Sequence, residues 1–257
     1  MITLEHVSVS FGGLKAVDDV SFAIPAGRIT GLIGPNGAGK TTLFNAIAGH
    51  VPVTSGRILL DGDDITKLKP HQRAALGLAR TFQIPREFSR LTVLENFMAA
   101  AAAPAGENVF NVMFARRRYA AEEEETFLRA RETVRFLELE RVENEKAGNL
   151  SGGQKKLLEL GRALMRKPRI ILLDEIGAGI NRTLLGKIAD KIKLLNGERD
   201  LTFCLIEHDL DYVSKLCDGV VVMAQGSVLM QGSVDQVRHD ERVIEAYFGG
   251  GKYEGQA

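Results

Sequence analysis

Residues Gly34-Pro35-Asn36-Gly37-Ala38-Gly39-Lys40-Thr41-Thr42 bring three glycines, a lysine and two hydroxyl side chains into one short stretch. The spacing is G-x-x-x-x-G-K-[ST], that of a phosphate-binding P-loop. Gly34, Gly37 and Gly39 let the backbone take positive φ and approach a ligand closely. Successive N–H groups then face one concavity that suits anionic oxygens. Lys40 can reach β- and γ-phosphates, and the Thr41 hydroxyl can ligate Mg²⁺. A plain glycine turn between strand and helix would use the same residues for less. The flanks favour the phosphate reading. RITGLIG ahead of the loop is a short apolar run of strand type, and TTLFNAIAGH behind it spaces Leu43, Ala46 and Ile47 as a helix does. Strand, loop and helix together set a phosphate at a helix N-terminus.

Two further stretches carry chemistry. IILLDE ends an apolar run on Asp174 and Glu175. A carboxylate at the end of a strand beside a P-loop suits a Mg²⁺ ligand, which is the role expected of Asp174. Alone it reads as a strand-ending Asp at a turn. Glu175, next to it, can orient and deprotonate an attacking water; a surface glutamate is the plainer alternative. Ser151-Gly152-Gly153-Gln154 reads first as S-x-x-Q, a capping box that opens a helix. The same helix N-terminus, with two glycines and a hydroxyl, is also an anion site. Since the P-loop already supplies one cradle, a second suggests that the serine of one subunit reaches nucleotide on another.

The elements that hold these residues follow an α/β rhythm. ITLEHVSV and VSFAI read as strands, RILLDG (57–62) as another, and LARTF (78–82) as a strand leading to Gln83. After Leu91 the character changes. LTVLENFMAAAAA forms a helix, broken between Pro104 and Gly106. Residues 120–138 form a long helix with Phe127, Ala130, Val134 and Leu137 on one face. Glu122 to Glu125 are placed in its first turns, where the helix dipole favours them. From residue 151 strands and helices alternate again: helix 152–166, strand 170–174, helix 182–196, strand 202–207 and helix 210–217. VVVMAQGSVLMQG reads as a hairpin across Gln225-Gly226, and 233–248 as a terminal helical stretch.

Bulk properties bound the function. Lys+Arg and Asp+Glu are both 33 in 257 residues, so nothing in the net charge suggests a nucleic-acid binder by bulk electrostatics. The two cysteines, Cys204 and Cys217, form neither a disulfide framework nor a CxxC metal spacing. No apolar run is long enough to span a bilayer. MITLEHVSVSF is a strand pattern and not a signal peptide. A cytoplasmic location is expected, and a peripheral membrane role stays open.

GPNGAGKTT, Gln83, LSGGQ (150–154), IILLDE (170–175) and His208 occur in the order seen in ATP-binding cassette (ABC) ATPases, which this chain resembles over about residues 2 to 249. The resemblance implies a P-loop α/β nucleotide-binding domain with an N-terminal antiparallel β subdomain and an inserted helical subdomain. Its expected bounds are 1–90 and 151–248 for the core, 91–150 for the helical part and 249–257 for a tail. It implies ATP and Mg²⁺ as ligands, with Thr41, Gln83 and Asp174 on the metal. Phe11 matches the aromatic that stacks on adenine; core packing at a strand end is its alternative. Gln83 matches the sensor of γ-phosphate, metal and water, His208 the switch histidine, and Glu175 the general base. The family usually has Pro after that Glu, whereas this chain has Ile176, which lifts a φ constraint.

ARTFQ, LTVLENF, FGGLKAVDDVSF, LIEHDLDYV and EAYFG resemble the ATPases of branched-chain, hydrophobic amino-acid importers, with relatives in urea and amide import. That implies hydrolysis driving uptake through separate permease subunits, a second cassette chain closing head to tail on two ATP molecules, and indirectly an extracytoplasmic substrate-binding protein. Two other classes compete: a soluble cassette protein acting on ribosomes or DNA, and a regulatory module without turnover. Nucleic-acid association and steady-state ATPase assay discriminate them.

Overall fold

Three short strands read as nearly unbroken apolar runs because both their faces are covered. They are β3 (Ile29–Ile33), β7 (Ile170–Asp174) and β8 (Thr202–Ile206), and every residue in them is buried. In the computed structural model they lie at the centre of a six-stranded sheet of order β10-β9-β3-β8-β7-β6. The other members are β6 (Leu78–Arg80), β9 (Gly219–Ala224) and β10 (Ser227–Gly232). All neighbours are parallel except the β9–β10 hairpin. The structure describes residues 1–81, 87–101 and 116–248, with 116–120 as backbone only. Gln83 and the break expected at Pro104–Gly106 lie outside the described residues, as does the tail from Gly249.

The chain divides into two compact units. The first comprises Met1–Arg80, Arg169–Glu175 and Ile192–Ala257. Alternate residues of its parallel strands enter two apolar clusters. Leu32, Leu172 and Ile206 pack with Leu43, Phe44 and Ile47 of α1 (Lys40–Ala48). Ile33, Val220 and Val222 pack with Val213 of α7 (Leu210–Leu216) and Val237 of α8 (Val234–His239). The first cluster also holds the inner face of a four-stranded antiparallel sheet, β2-β1-β4-β5. There β1 (Ile2–Phe11) pairs with β2 (Leu14–Ile24) and β4 (Ser55–Leu60), and β5 is Asp63–Asp64.

The C-terminal end of α1 is closed by a residue that no motif marks. Arg73, on α2 (Pro70–Ala75), is 2% exposed. Its guanidinium donates to the carbonyls of Ala46 and Ile47 in α1, and to those of Leu68 and Thr66. These donors satisfy carbonyls that a helix end otherwise leaves open.

The second unit comprises Thr81–Pro168 and Ile176–Lys191. Its helices are α3 (Val93–Ala100), α4 (Arg116–Phe136) and α5 (Gly152–Leu164); α6 (Arg182–Arg199) crosses the division between units. Asn96 of α3 is fully buried and clips the preceding segment: its amide accepts from Phe88 N–H and donates to the carbonyls of Phe88, Leu91 and Thr92. Sequence periodicity misjudged α4 in two respects. The helix starts at Arg116, so Glu122 to Glu125 sit beyond its first turn, outside the reach of its N-terminal dipole. Ala130 and Val134 are buried as expected, but Phe127 is 37% exposed, because no residue from 121 to 129 is buried against a neighbour. The terminal helical stretch is two helices, α8 and α9 (Glu241–Phe248), divided at Asp240, whose carboxylate accepts from Arg242 N–H.

Candidate active site

The turn from β3 into α1 is built by glycine. Gly39 is the N-cap of α1 at φ 94, and a Cβ there would lie 2.3 Å from the Ala16 carbonyl oxygen. That clash is with backbone, so only glycine fits. The β9–β10 turn closes the same region from the far end of the chain. Gly226 N–H donates to the Ala38 carbonyl at 3.2 Å and its own carbonyl accepts from Asp18 N–H at 2.8 Å. Between these parts lies a cavity of about 410 Å³, lined by Asn36 to Thr42, by Leu14, Lys15 and Ala16, and by Glu175, Gln225 and Gly226. Its volume is in the range of small-molecule sites.

Lys40 is 6% exposed, and its Nζ donates to the carbonyls of Gly34 at 2.7 Å and Pro35 at 2.9 Å. Burial pushes its pKa below the ordinary lysine value, against the opposing fields of Glu175 and Asp174. Thr41 is exposed in the cavity wall.

Asp174 and Glu175 leave the C-terminal end of β7, beside the end of β8, in a register that sets Asp174 opposite Ile206. Ligands of open α/β sheets bind at such strand ends. Asp174 is 2% exposed and its Oδ2 accepts from Arg80 Nη2 at 2.8 Å. Glu175 takes φ 48, a left-handed value for a residue with a side chain, and its N–H donates to the Ile206 carbonyl. His208 follows β8, and its Nε2 lies 2.8 Å from Glu175 Oε1. The next residue, Asp209, caps α7 by accepting from Asp211 and Tyr212 N–H, which fixes the backbone that carries His208.

The family model described as ABC transporter matches residues 17–178, and that described as branched-chain amino acid ATP-binding cassette transporter matches 227–253. The chain belongs to the ATP-binding cassette family of transporter ATPases. It is 38% identical to a probable branched-chain amino acid transport ATP-binding protein, LivG, of Archaeoglobus fulgidus, over 97% of this chain and 95% of that one. It is 36% identical to the high-affinity branched-chain amino acid transport ATP-binding protein BraF of Pseudomonas aeruginosa, covering 97% and 98%. Among solved structures it resembles the ADP conformation of an ABC transporter's ATP-binding cassette, at TM-score 0.84 and 37% identity over 97% and 98% of the two chains. A dimeric bacterial ABC transporter cassette matches at TM-score 0.77 and 26% identity, over 91% and 99%.

The remaining cassette residues fall as follows. Phe11 is 51% exposed at the end of β1, opposite Leu14, so it is not part of the core. In the second unit, Ser151 is the N-cap of α5: its hydroxyl accepts from Gln154 N–H, and Gln154 Oε1 accepts from Ser151 N–H at 2.9 Å. Ser151 and Gly152 are exposed, while Gly153 is buried where a Cβ would meet Leu184 Cδ2 at 2.1 Å. Ile176, in place of the family's usual proline, is buried. Sequence reading missed Arg80 and the cavity walls from Leu14 to Ala16 and at Gln225. The only signal for Arg80 was its place in ARTFQ, three residues before Gln83.

Proposed function

We propose that this ABC ATPase hydrolyses ATP to drive uptake of branched-chain, hydrophobic amino acids through separate membrane permease subunits. The observation that carries the hydrolytic reading is the contact of His208 with Glu175, which lines the P-loop cavity. The solute class rests on the relatives, which are named for branched-chain amino acid transport.

The residues divide the work. The backbone N–H groups of Asn36 to Thr42 cradle the phosphates, and Lys40 exchanges its two carbonyl partners for phosphate oxygens. Phe11 stacks on adenine from its exposed place at the strand end. Glu175 takes the proton of the water that attacks the γ-phosphorus; the bond to the β-phosphate oxygen breaks and ADP leaves with that electron pair. His208 holds the Glu175 carboxylate and contacts the γ-phosphate. Gln83, outside the described residues, senses γ-phosphate, metal and water by the family resemblance. Ser151, Gly152, Gly153 and Gln154 meet the nucleotide held by a second cassette chain, in a homo- or heterodimer.

The Thr41 hydroxyl, in the cavity wall, and the Asp174 carboxylate, at the end of β7 next to Glu175 of that wall, are hard oxygen donors. They fit Mg²⁺, with Gln83 as the third protein group. The cation, when bound, neutralises phosphate charge that builds up during transfer. Among the described residues no helix is long and apolar enough to cross a membrane. In this reading the chain works peripherally, on the cytoplasmic face of its permeases, and a substrate-binding protein acts on it indirectly from the other side.

The test is the reconstituted complex of this chain with its permeases. Hydrolysis should rise when a binding protein is loaded with leucine, isoleucine or valine. A rate that ignores these and rises with urea moves the chain to the urea and amide branch.

A further inference from the structure

Arg80 ends β6 next to β7, where it lies opposite Leu172, two residues before Asp174. Its side chain is 6% exposed and that of Asp174 is 1% exposed. Nη2 donates to Asp174 Oδ2 at 2.8 Å, and Nη1 donates to Asn45 Oδ1 on α1, the helix that begins with Lys40. One guanidinium thus joins the strand end to the phosphate-binding helix. Burying such a pair costs desolvation that apolar packing in the same place would not incur. The pair also puts a fixed positive charge on the carboxylate that is to serve a cation.

We infer that Arg80 is the resting counter-ion of Asp174, a positioning residue with which the divalent cation must compete. This rests on the reading of Asp174 as a cation ligand. Held between Asn45 and Asp174, Arg80 keeps the carboxylate oriented while no cation is present. Its charge, within a few ångströms, opposes the approach of another cation, and burial strengthens that opposition. Asp174 and Thr41 by themselves then hold the cation weakly, and stable binding waits for the oxygens of the nucleotide phosphates. The metal arrives with, or after, its nucleotide.

The experiment measures binding of a fluorescent ADP analogue to the full-length chain, in EDTA and across a series of free Mg²⁺ concentrations. Arg80→Gln should reach half of its Mg²⁺-dependent gain in affinity at about tenfold lower free Mg²⁺ than the wild type. Its affinity in EDTA should stay within about twofold, and Arg80→Lys, which keeps the charge but not the fork that also reaches Asn45, should fall between the wild type and Arg80→Gln. A folded Arg80→Gln whose half-point equals or exceeds that of the wild type overturns the inference. Should Arg80→Gln not fold, Asn45→Asp draws the guanidinium off Asp174 and should lower the half-point about threefold; an unmoved half-point there overturns the inference too. Asp174→Asn separates the two claims. If it keeps the full Mg²⁺-dependent gain, the reading of Asp174 fails. If it loses that gain while Arg80→Gln is unmoved, the role of Arg80 alone fails.

Discussion

The His208 imidazole and the Glu175 carboxylate meet at 2.8 Å although 33 residues separate them in the chain. Both sit just past the ends of neighbouring parallel strands, and the pairing of β7 with β8 sets their spacing. The contact holds the carboxylate in the wall of the cavity that the P-loop also lines. A general base needs this fixed direction as much as it needs a suitable charge.

Lys40 is the group whose loss should act on binding first. Lys40→Ala removes a buried cation that now rests on two carbonyls. Hydrogen bonds to charged groups contribute about 1.5–3 kcal/mol each, so ATP affinity should fall by about 10- to 100-fold. Titration of the purified variant with nucleotide checks this, and unchanged affinity would place Lys40 away from the phosphates.

The serine of α5 should act across two chains. Mixing Ser151→Arg with Lys40→Ala leaves one composite site intact in a mixed dimer. Activity of the mixture should exceed that of either variant alone. The substitution also removes an N-cap, at a cost of about 1 kcal/mol, so folding of the Ser151→Arg chain is verified by its melting curve. A mixed dimer no better than its parents would end the claim of action in trans.

The motif residues of this candidate site were legible because each piece lies in an unbroken motif. GPNGAGKTT, IILLDE and LSGGQ carry their own flanking strand or helix, so the backbone that positions them could be read with them. What escaped is long-range. Arg80 and Asp174 are 94 residues apart, and nothing local says that β6 lies beside β7. The Gln225-Gly226 turn was read as a hairpin, but its seat against Ala38 and Asp18 depends on packing alone. The start of α4 was misplaced for a related reason: periodicity needs a buried face, and the first half of that helix has none among its described side chains.

Arg73 illustrates the same gap and gives a stability prediction. Arg73→Ala leaves the carbonyls of Ala46, Ile47, Leu68 and Thr66 without the donors that now reach them. Loss of several charge-assisted bonds in a buried place should cost about 3 kcal/mol or more. Urea unfolding measures it. A change below about 0.5 kcal/mol, the range of ordinary surface substitutions, would show that water replaces the guanidinium.

Phe88 tests coupling to the membrane partner. Its ring is 48% exposed and carries the Arg162 guanidinium at 4.9 Å, just after the segment of Gln83, Ile84, Pro85 and Arg86. That segment and Phe88 are proposed to dock onto a cytoplasmic loop of the permease. An exposed aromatic beside an arginine is a common anchor of protein contacts, worth about 2 kcal/mol when truncated. Phe88→Ala should therefore lower permease-stimulated hydrolysis several-fold and leave the basal rate of the isolated chain unchanged. Equal loss of both rates would move the docking surface elsewhere.

The central claim is that Glu175 deprotonates the attacking water. Glu175→Gln keeps the size of the side chain but cannot take a proton. Its ATP affinity should remain within about threefold of the wild type, and its steady-state hydrolysis should fall by at least about 100-fold, the usual lower bound for loss of a general base. With hydrolysis blocked, Mg-ATP should hold two chains together, visible as a dimer on size-exclusion chromatography. Parallel measurement of ATP binding and phosphate release on this one variant gives the most direct test. Intact binding with hydrolysis at the wild-type rate would contradict the account.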